Sequence, residues 1–344
     1  MVREYECPSC GAAMVFDSKS QMLLCEHCGT TRAVAQTEVT REAEEKDIFY
    51  TGKEASFKRY TCPSCGAEIL TDDYTAATFC SFCGNPALME DRLSGEKTPA
   101  RIIPFKITKE QAQNSYRTWC KRGMLTPKDF TSQSTIEKIT GMYVPFWLYD
   151  YSARARLKAN CTRVSRERKG DMEYTHTDHY YVSRDVGDDF MGIPVDASEK
   201  MPDDIMDRLE PFAYNELRSF DMGYLSGFLA EKYNFDSEEL KKRAESRVHQ
   251  YIFKEARDTI KGYSSTMITE QDIRLHCQGA SYTMLPVWLL NYRYKGKDYL
   301  FTLNGQTGKI VGSLPVSKGK MAIWFAGVTA AVYLVLTIVG GLLV

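Results

Sequence analysis

Eight cysteines in the first quarter of the chain have the type and spacing of metal ligands. They form four Cys-X-X-Cys pairs, each followed directly by glycine, and fourteen residues separate the two pairs of each set. Two thiolates separated by two residues can reach one ion from a single tight turn, and two such turns complete a tetrahedron. The predicted ligands are Cys7, Cys10, Cys25 and Cys28 for a first ion and Cys62, Cys65, Cys80 and Cys83 for a second.

A closed set of four cysteines predicts a structural zinc ribbon. Catalytic zinc keeps one coordination position open for water or substrate, whereas four thiolates leave none. A ribbon of about 30 residues is too small to fold on an apolar core alone, so the metal supplies much of its folding free energy. Iron also accepts four thiolates, but closed four-cysteine sites in ribbon-like segments usually hold zinc. We therefore expect two structural Zn²⁺ ions and reduced cysteines.

No other group of residues predicts catalysis. The sequence contains neither a Walker A loop nor a Gly-X-Gly-X-X-Gly loop, and it lacks nucleophile-elbow and metalloprotease motifs. His176 and His179 stand three apart in a predicted strand, so they face opposite sides of it and cannot easily share an ion. The expectation is a protein that is not an enzyme and binds no nucleotide.

Charge bears on what the ribbons bind. The formal net charge of the chain is −1, and each ribbon carries slightly more acidic than basic residues. A phosphate-binding surface needs the opposite sign, which favours protein over nucleic acid as the partner. One dense basic stretch occupies 154–169, with Arg154, Arg156 and Lys158 on one predicted strand face. An anionic lipid, an acidic partner and an ordinary solvated face all remain open for it.

The segment 321–344 predicts a membrane span. Its 24 residues include no charged side chain. As a helix it would reach about 36 Å, enough to cross a hydrocarbon core of about 30 Å. Lys318 and Lys320 precede the span, so the positive-inside tendency places the preceding bulk of the chain in the cytoplasm. The predicted location is the cell membrane, with a single-pass carboxy-terminal anchor.

The predicted fold class is multidomain α+β. The segments are ribbon one at 1–34, a charged linker at 35–57, ribbon two at 58–92, a linker at 93–100, a mixed α+β body at 101–316 and the transmembrane helix at 321–344. Within the body, the pattern predicts a strand at 102–107, a capped helix from 108 to 123, strands over 139–163 and a second capped helix over 236–261.

A second repeat lies inside the body. Residues 144–151 align without gaps to 285–292, and both copies read aliphatic, Pro, apolar, Trp, Leu, any residue, Asp or Asn, Tyr. Each copy precedes a basic, strand-like run. Since proline is confined to strand starts, edges or bulges, we interpret the repeat as a duplicated β-hairpin unit. Convergent use of a Pro-Trp corner is the alternative.

These motifs resemble a known group of bacterial proteins. The paired CPSCGA turns, the segments 285–301 and 304–315 and the terminal apolar span are similar to the YdjG-like group, which carries two transcription-factor-IIB-type zinc ribbons. The resemblance covers most of the chain, and the two body segments carry most of its weight. It implies a membrane-anchored protein, encoded near an SPFH-domain protein and a phage-shock-protein-A homologue, that recruits such partners to the membrane.

Residues and resemblance together predict a cytoplasm-facing zinc-ribbon adaptor. Its expected partners are an SPFH-domain protein, a second small membrane protein of the phage-shock type, and membrane lipid. The alternative is a membrane-tethered regulator that binds nucleic acid through its zinc ribbons.

Overall fold

A computed structural model describes residues 2–34, 41–43, 45–46, 57–81, 83–93 and 98–342. Within those ranges the fold is mixed α+β, with two amino-terminal four-cysteine clusters and a long apolar helix at the other end, which confirms the predicted fold class. Most of the linker predicted at 35–57 and half of the linker predicted at 93–100 lie outside the described residues, as do the last two residues of the predicted span.

The strands and helices have the following bounds. The strands of the ribbon region are β1 (Val2–Glu4), β2 (Met14–Asp17), β3 (Met22–Cys25), β4 (Thr31–Arg32), β5 (Arg41–Ala43), β6 (Glu45–Lys46), β7 (Phe57–Thr61), β8 (Glu68–Asp72), β9 (Thr75–Phe79) and β10 (Pro86–Met89). Those of the body are β11 (Arg101–Ile102), β12 (Thr140–Lys169), β13 (Met172–Asp196), β14 (Arg218–Ser219), β15 (Leu229–Glu231), β16 (Ser265–Tyr294), β17 (Lys297–Asn304) and β18 (Ile310–Gly312). The helices are α1 (Lys109–Arg122), α2 (Gln133–Ile136), α3 (Asp203–Leu209), α4 (Ser237–Asp258) and α5 (Lys318–Leu342).

Three long antiparallel strands form the centre of the body. β12 pairs with β13 on one side and with β16 on the other, and β17 then pairs with the end of β16. Helix α4 covers one face of these strands, because its inward positions Ala244, Val248 and Ile252 pack against apolar residues of β12 such as Ala155 and Leu157. Farther along β12 the opposite face carries Arg154, Arg156 and Lys158, whereas both faces are buried over residues 142–146.

The two copies of the Pro-Trp motif lie in the first strands of two hairpins, β12–β13 and β16–β17. The first residues of the copies, Val144 and Leu285, are direct partners across the β12–β16 ladder. β11 runs parallel to β16, and β15 runs parallel to β12. The strand order β11-β16-β12-β15 is therefore symmetric, with a short parallel strand outside each of the two long antiparallel strands. This symmetry supports a duplicated unit of short strand, helix and hairpin.

The tryptophans of the motif make equivalent hydrogen bonds. Trp147 Nε1 donates to the carbonyl of Phe235 at 3.0 Å, and Trp288 Nε1 donates to the carbonyl of Ile107 at 2.9 Å. Each carbonyl belongs to the residue just before a helix N-cap, that of α4 or α1. Each tryptophan thus fixes the start of the helix from the other copy of the unit.

The predicted helices are confirmed, with the expected capping boxes. Thr108 and Gln111 bond reciprocally at the start of α1, and Asp236 and Glu239 do so at α4. The predicted strand at 102–107 was too long, since only Arg101–Ile102 pairs as a strand. Beyond it Pro104 has no amide to donate, and the amides of residues 106 and 107 both donate to the carbonyl of Gly305.

One sheet joins both ribbons to the body. β15 of the body pairs with β9, β9 with β10, and β10 with β1 at the amino terminus. Two smaller sheets, β2-β3-β4 and β6-β7-β8, complete the first and the second ribbon. The first strand of the chain therefore pairs with the last strand of the second ribbon.

Helix α5 leaves the body beside the loop that follows α1. The amide of Ser317 donates to the carbonyl of Leu125 at 2.8 Å, and Lys320 Nζ donates to the carbonyl of Thr126 at 2.6 Å. The stretch Lys318–Ile338 is long and apolar enough to span a membrane, and its side chains from 321 to 338 are exposed. The helix starts three residues before the predicted segment.

Candidate metal centres

The four cysteine turns share one backbone geometry. In each, the amide of the glycine donates to the carbonyl of the first cysteine at 2.8–2.9 Å. The four glycines, Gly11, Gly29, Gly66 and Gly84, have φ between 73 and 77°. A side chain would be strained in this left-handed region, so glycine is the residue that closes the turn without cost. Both sulfurs of a pair then project to the same side.

The structure brings each predicted set of four sulfurs together. In the first site, Sγ of Cys7 lies 3.4 Å from that of Cys28, and the sulfurs of Cys10 and Cys25 are 3.5 Å apart. In the second site the Cys62–Cys83 and Cys65–Cys80 distances are both 3.7 Å. All four sulfurs of each site lie within 4.8 Å of one another.

These distances fit a tetrahedral ion. Zinc–sulfur bonds of about 2.3 Å place the sulfurs of a tetrahedron about 3.8 Å apart. Each site can therefore hold a metal ion with little movement of its sulfurs. In every pair the first cysteine is buried and the second is exposed, so each ion would lie at the boundary between a small core and the surface.

The cysteines of a site influence one another's pKa. Burial acts to raise the pKa of Cys7, but hydrogen bonds from the backbone amides of Ser9 and Cys10 outweigh it and bring the pKa to about 6. Burial and the neighbouring thiol of Cys65 raise the pKa of Cys83 to about 12. A charge on one sulfur opposes ionisation of the next, so four thiolates in one site need a bound cation.

The first ribbon is packed into the core of the body. Phe16 is 4% exposed, and its ring centroid lies 5.2 Å from that of Tyr224 and 6.5 Å from that of Phe228. Leu23 is fully buried in the same cluster. Ser226 holds the backbone from the body side, because its hydroxyl donates to the carbonyl of Met14 at 2.7 Å. Sequence reasoning treated the ribbon alone and missed this contact.

The second ribbon has a small core of its own. Tyr60, Ile69 and Met89 are buried there together with two of the ligands, Cys62 and Cys80. This cluster is separate from the main core, although other residues of the ribbon, such as Ala76 and Leu88, belong to the main one.

One charged residue attaches the second ribbon to the body, and another stabilises the ribbon internally. Lys200 Nζ lies 2.6 Å from both Asp72 and Glu231, and it thereby links the ribbon to the body. Arg92, which is 4% exposed, donates from Nε to the hydroxyl of Tyr60 at 3.1 Å. No sequence motif marks Lys200 as a bridge or Arg92 as a buried cation.

A buried carboxylate from the first ribbon lies against the second metal site. Glu4 is 1% exposed, and it accepts hydrogen bonds from the Ser64 hydroxyl and, at 3.3 Å, from the Asn85 amide. Ser64 stands inside the first cysteine turn of that site, and Asn85 follows the second. Pairing of β1 with β10 puts Glu4 in this place, which a reading of each ribbon separately could not predict.

The basic stretch of the body is paired within the protein. Arg154 and Arg156 contact Asp185 at 2.7 and 3.0 Å, and Lys158 contacts Glu270 at 2.6 Å. Of the three alternatives for this stretch, these pairs favour the solvated strand face. His176 pairs with Ser165 and His179 pairs with Thr162 in an unbroken part of the β12–β13 ladder. The two histidines are three residues apart on one strand, so they lie on opposite faces, as expected.

One curated relative is similar along nearly the whole chain. The uncharacterized protein YdjG of Bacillus subtilis (strain 168) is 42% identical over 339 residues, which cover 98% of this chain and 98% of the relative. No family model matches the sequence, and no solved structure matches it. The similarity spans both cysteine clusters, the body and nearly all of the apolar helix.

Proposed function

The chain belongs to the YdjG family, and we propose that it is a membrane-anchored adaptor that recruits protein partners to the cytoplasmic face of the cell membrane. The observation that carries the proposal is the presence, on one chain, of two closed four-cysteine sites and one exposed apolar helix. Zinc in such sites makes a ribbon rigid but offers no coordination position to a substrate. The ribbons would then act through a protein-binding surface, and the helix would hold that surface at the membrane.

The exposed helix supports the anchor. Side chains such as Ile323, Phe325 and Leu336 are 75%, 69% and 65% exposed. In water this apolar surface would be unfavourable at about 25 cal/mol per Å², whereas a bilayer covers it. Lys318 and Lys320 at the start of the helix favour a cytoplasmic location for the body.

The second ribbon supplies the candidate partner surface. Two of its apolar side chains are exposed: Leu70 in β8 is 66% exposed, and Phe79 in β9 is 37% exposed. The residue equivalent to Leu70 in the first ribbon is Val15, which instead packs on the body at Gly227. An apolar side chain held out on a metal-stiffened sheet suits a protein contact better than a phosphate contact.

The identity of the partners rests on the family resemblance. We propose an SPFH-domain protein and a small membrane protein of the phage-shock type. No catalytic role is included in the proposal, because the closed metal sites provide no reactive position.

Co-purification from membranes tests the adaptor role. The full chain should remain with membranes after an alkaline carbonate wash, and a chain ending at Ser317 should be released. Leu70→Asp should leave the protein folded and membrane-bound but should weaken capture of the SPFH-domain partner. Tyr251→Asp, at an exposed position on α4 far along the chain, is the matched control.

Two outcomes would count against this function. Equal capture of the partner by the wild type and by the Leu70 variant would show that Leu70 of the second ribbon does not contact the partner. A salt-dependent mobility shift of the full chain with DNA or RNA would support the nucleic-acid regulator instead.

A further inference from the structure

Basic side chains collect around the start of α5. Three segments meet there, 121–130, 291–299 and 313–321, and we call their exposed face the anchor-side surface. Its described basic residues are Lys121, Arg122, Arg293, Lys295, Lys297, Lys318 and the half-buried Lys320, and its acidic residues are Asp129 and Asp298, of which Asp298 lies 3.9 Å from Arg293. A chain whose formal net charge is −1 therefore carries a strong local excess of positive charge beside its apolar helix.

Direct contacts tie the hairpin β16–β17 to the helix start. Phe130 is 3% exposed, and its ring centroid lies 4.6 Å from that of Tyr292, 5.7 Å from that of Tyr294 and 5.6 Å from that of Tyr299. The same loop receives the hydrogen bonds of Ser317 and Lys320 through its carbonyls at 125 and 126. The hairpin tip and the first turn of α5 thus brace one loop from two sides.

The turn of the β16–β17 hairpin contains a lysine at a position whose backbone conformation favours asparagine or glycine. Lys295 and Gly296 form the two-residue turn, with φ of 49° and 78°. Such turns favour asparagine or glycine at both positions. Lys295 Nζ lies 5.3 Å from the centroid of the Tyr294 ring. Alternation of tyrosine with basic residues is typical of segments at a membrane interface, where rings and cationic groups meet lipid headgroups.

The other hairpin of the duplicated unit lacks this charge excess. The tip of β12–β13 lies at the opposite end of the long ladder, on the order of 100 Å away at about 3.3 Å per residue. Its basic residues are matched by acids, with Arg166 3.7 Å from Glu173 and Lys169 3.5 Å from Glu167. The positive excess is a property of the end that carries the anchor.

We propose that the anchor-side surface binds anionic phospholipid headgroups, which makes the tip of β16–β17 a second membrane contact. The inference rests on the proposed anchor, which places this surface at the leaflet. Lipid is favoured over an acidic protein because the surface is continuous with the first turn of the membrane-spanning helix. The bound headgroups would fix the tilt of the body, and with it the position of the second ribbon above the membrane.

Hydrogen exchange of the full chain in nanodiscs tests this contact. Amides of 293–297 should exchange severalfold more slowly in discs that contain phosphatidylglycerol than in pure phosphatidylcholine, and raised salt should remove the difference. Amides of 168–172 at the other tip should exchange equally in both lipids. Equal exchange of 293–297 in the two lipids would overturn the inference.

A charge-removing variant separates lipid binding from folding. Lys295→Asn combined with Lys297→Gln should reduce the lipid dependence at the tip severalfold, and asparagine suits the left-handed turn, so the hairpin should stay folded. Arg168→Gln with Lys169→Gln at the other tip is the matched control and should behave as the wild type. Retention of full lipid dependence in the first variant would contradict the proposal. Failure of the full chain to enter nanodiscs at all would instead contradict the proposed anchor.

Discussion

The two ribbons hold the same metal geometry in different surroundings. Each ligand of the second site lies 55 residues after its counterpart, as Cys62 does after Cys7. At the same offset, the buried Phe16 and Leu23 of the first ribbon correspond to Thr71 and Thr78 of the second. The first ribbon contributes large apolar side chains to the core of the body, whereas the second carries threonine at those positions and closes a smaller core of its own.

This difference shows that the same kind of four-cysteine site can have two structural roles. In the first ribbon the ion would hold part of the body's core in place. In the second it would hold a module whose exposed face includes Leu70. Loss of metal should therefore have unequal consequences at the two sites.

Removal of one ligand from each site should show the largest contrast. Cys7→Ser and Cys62→Ser should each reduce bound zinc from about two ions to about one per chain, since apparent binding free energies of structural zinc are about 10–16 kcal/mol. Only Cys7→Ser should also lower the thermal unfolding temperature of the body strongly. Metal analysis measures the bound zinc, and calorimetry measures the unfolding temperature. Two full zinc ions in the Cys62 variant would refute the ligand assignment, and equal melting temperatures would refute the contrast.

Exchange of the core residues tests the packing without touching the metal. Phe16→Thr copies the second ribbon into the first, and it should cost about 3–5 kcal/mol of unfolding free energy, as removal of a buried aromatic side chain does. Thr71→Val should be neutral or should stabilise by about 1 kcal/mol, because its buried hydroxyl has no hydrogen-bond partner among the described residues. Denaturant titration of both variants measures the two effects, and a similar loss in both would contradict the comparison.

Loss of the bridging lysine should loosen only the second ribbon. Lys200→Met would leave Glu231, whose side chain is 6% exposed, without its cation, at a cost of about 1–3 kcal/mol. Hydrogen bonds from Lys200 and Thr75 outweigh burial and hold the pKa of Asp72 at about 2, so the pair is fully formed at neutral pH. Faster hydrogen exchange should be confined to β8, β9 and β15, and Lys200→Arg should retain most of the protection. Loosening of the first ribbon as well would contradict separate attachment.

The smallest effect is expected at the carboxylate that touches the second site. Glu4→Gln keeps an acceptor for Ser64 but removes a negative charge beside four thiolates. Zinc affinity of the second site should rise by less than about tenfold, equivalent to about 1.4 kcal/mol, with the first site unchanged. Competition with a chromophoric chelator measures both sites, and weaker zinc binding in the variant would show that the carboxylate supports the site.

The sequence was sufficient to predict features that depend on local chemistry. The cysteine sets, the capping boxes at Thr108 and Asp236 and the two hairpins with the Pro-Trp motif follow from spacing, side-chain type and turn residues. The domain boundaries stay predictions, because much of both linkers lies outside the described residues.

Features that depend on pairing distant segments could not be predicted in the same way. Glu4 reaches the second site because β1 pairs with β10, and Lys200 bridges two segments that are far apart in the sequence. A comparison of the ribbons at the 55-residue offset places Phe16 against Thr71, and this indicates that only the first ribbon contributes a large apolar side chain at that position.

The order in which wild-type protein loses its metal tests the central claim most directly. The full chain, loaded with two zinc ions and held in nanodiscs, is treated with a chelator and an alkylating reagent, and the modified cysteines are identified by mass spectrometry. Opening of the first ribbon requires separation of Phe16 from the core, so Cys65 and Cys83 should be alkylated before Cys10 and Cys28. Alkylation of the first site before the second, or of both together, would contradict the account.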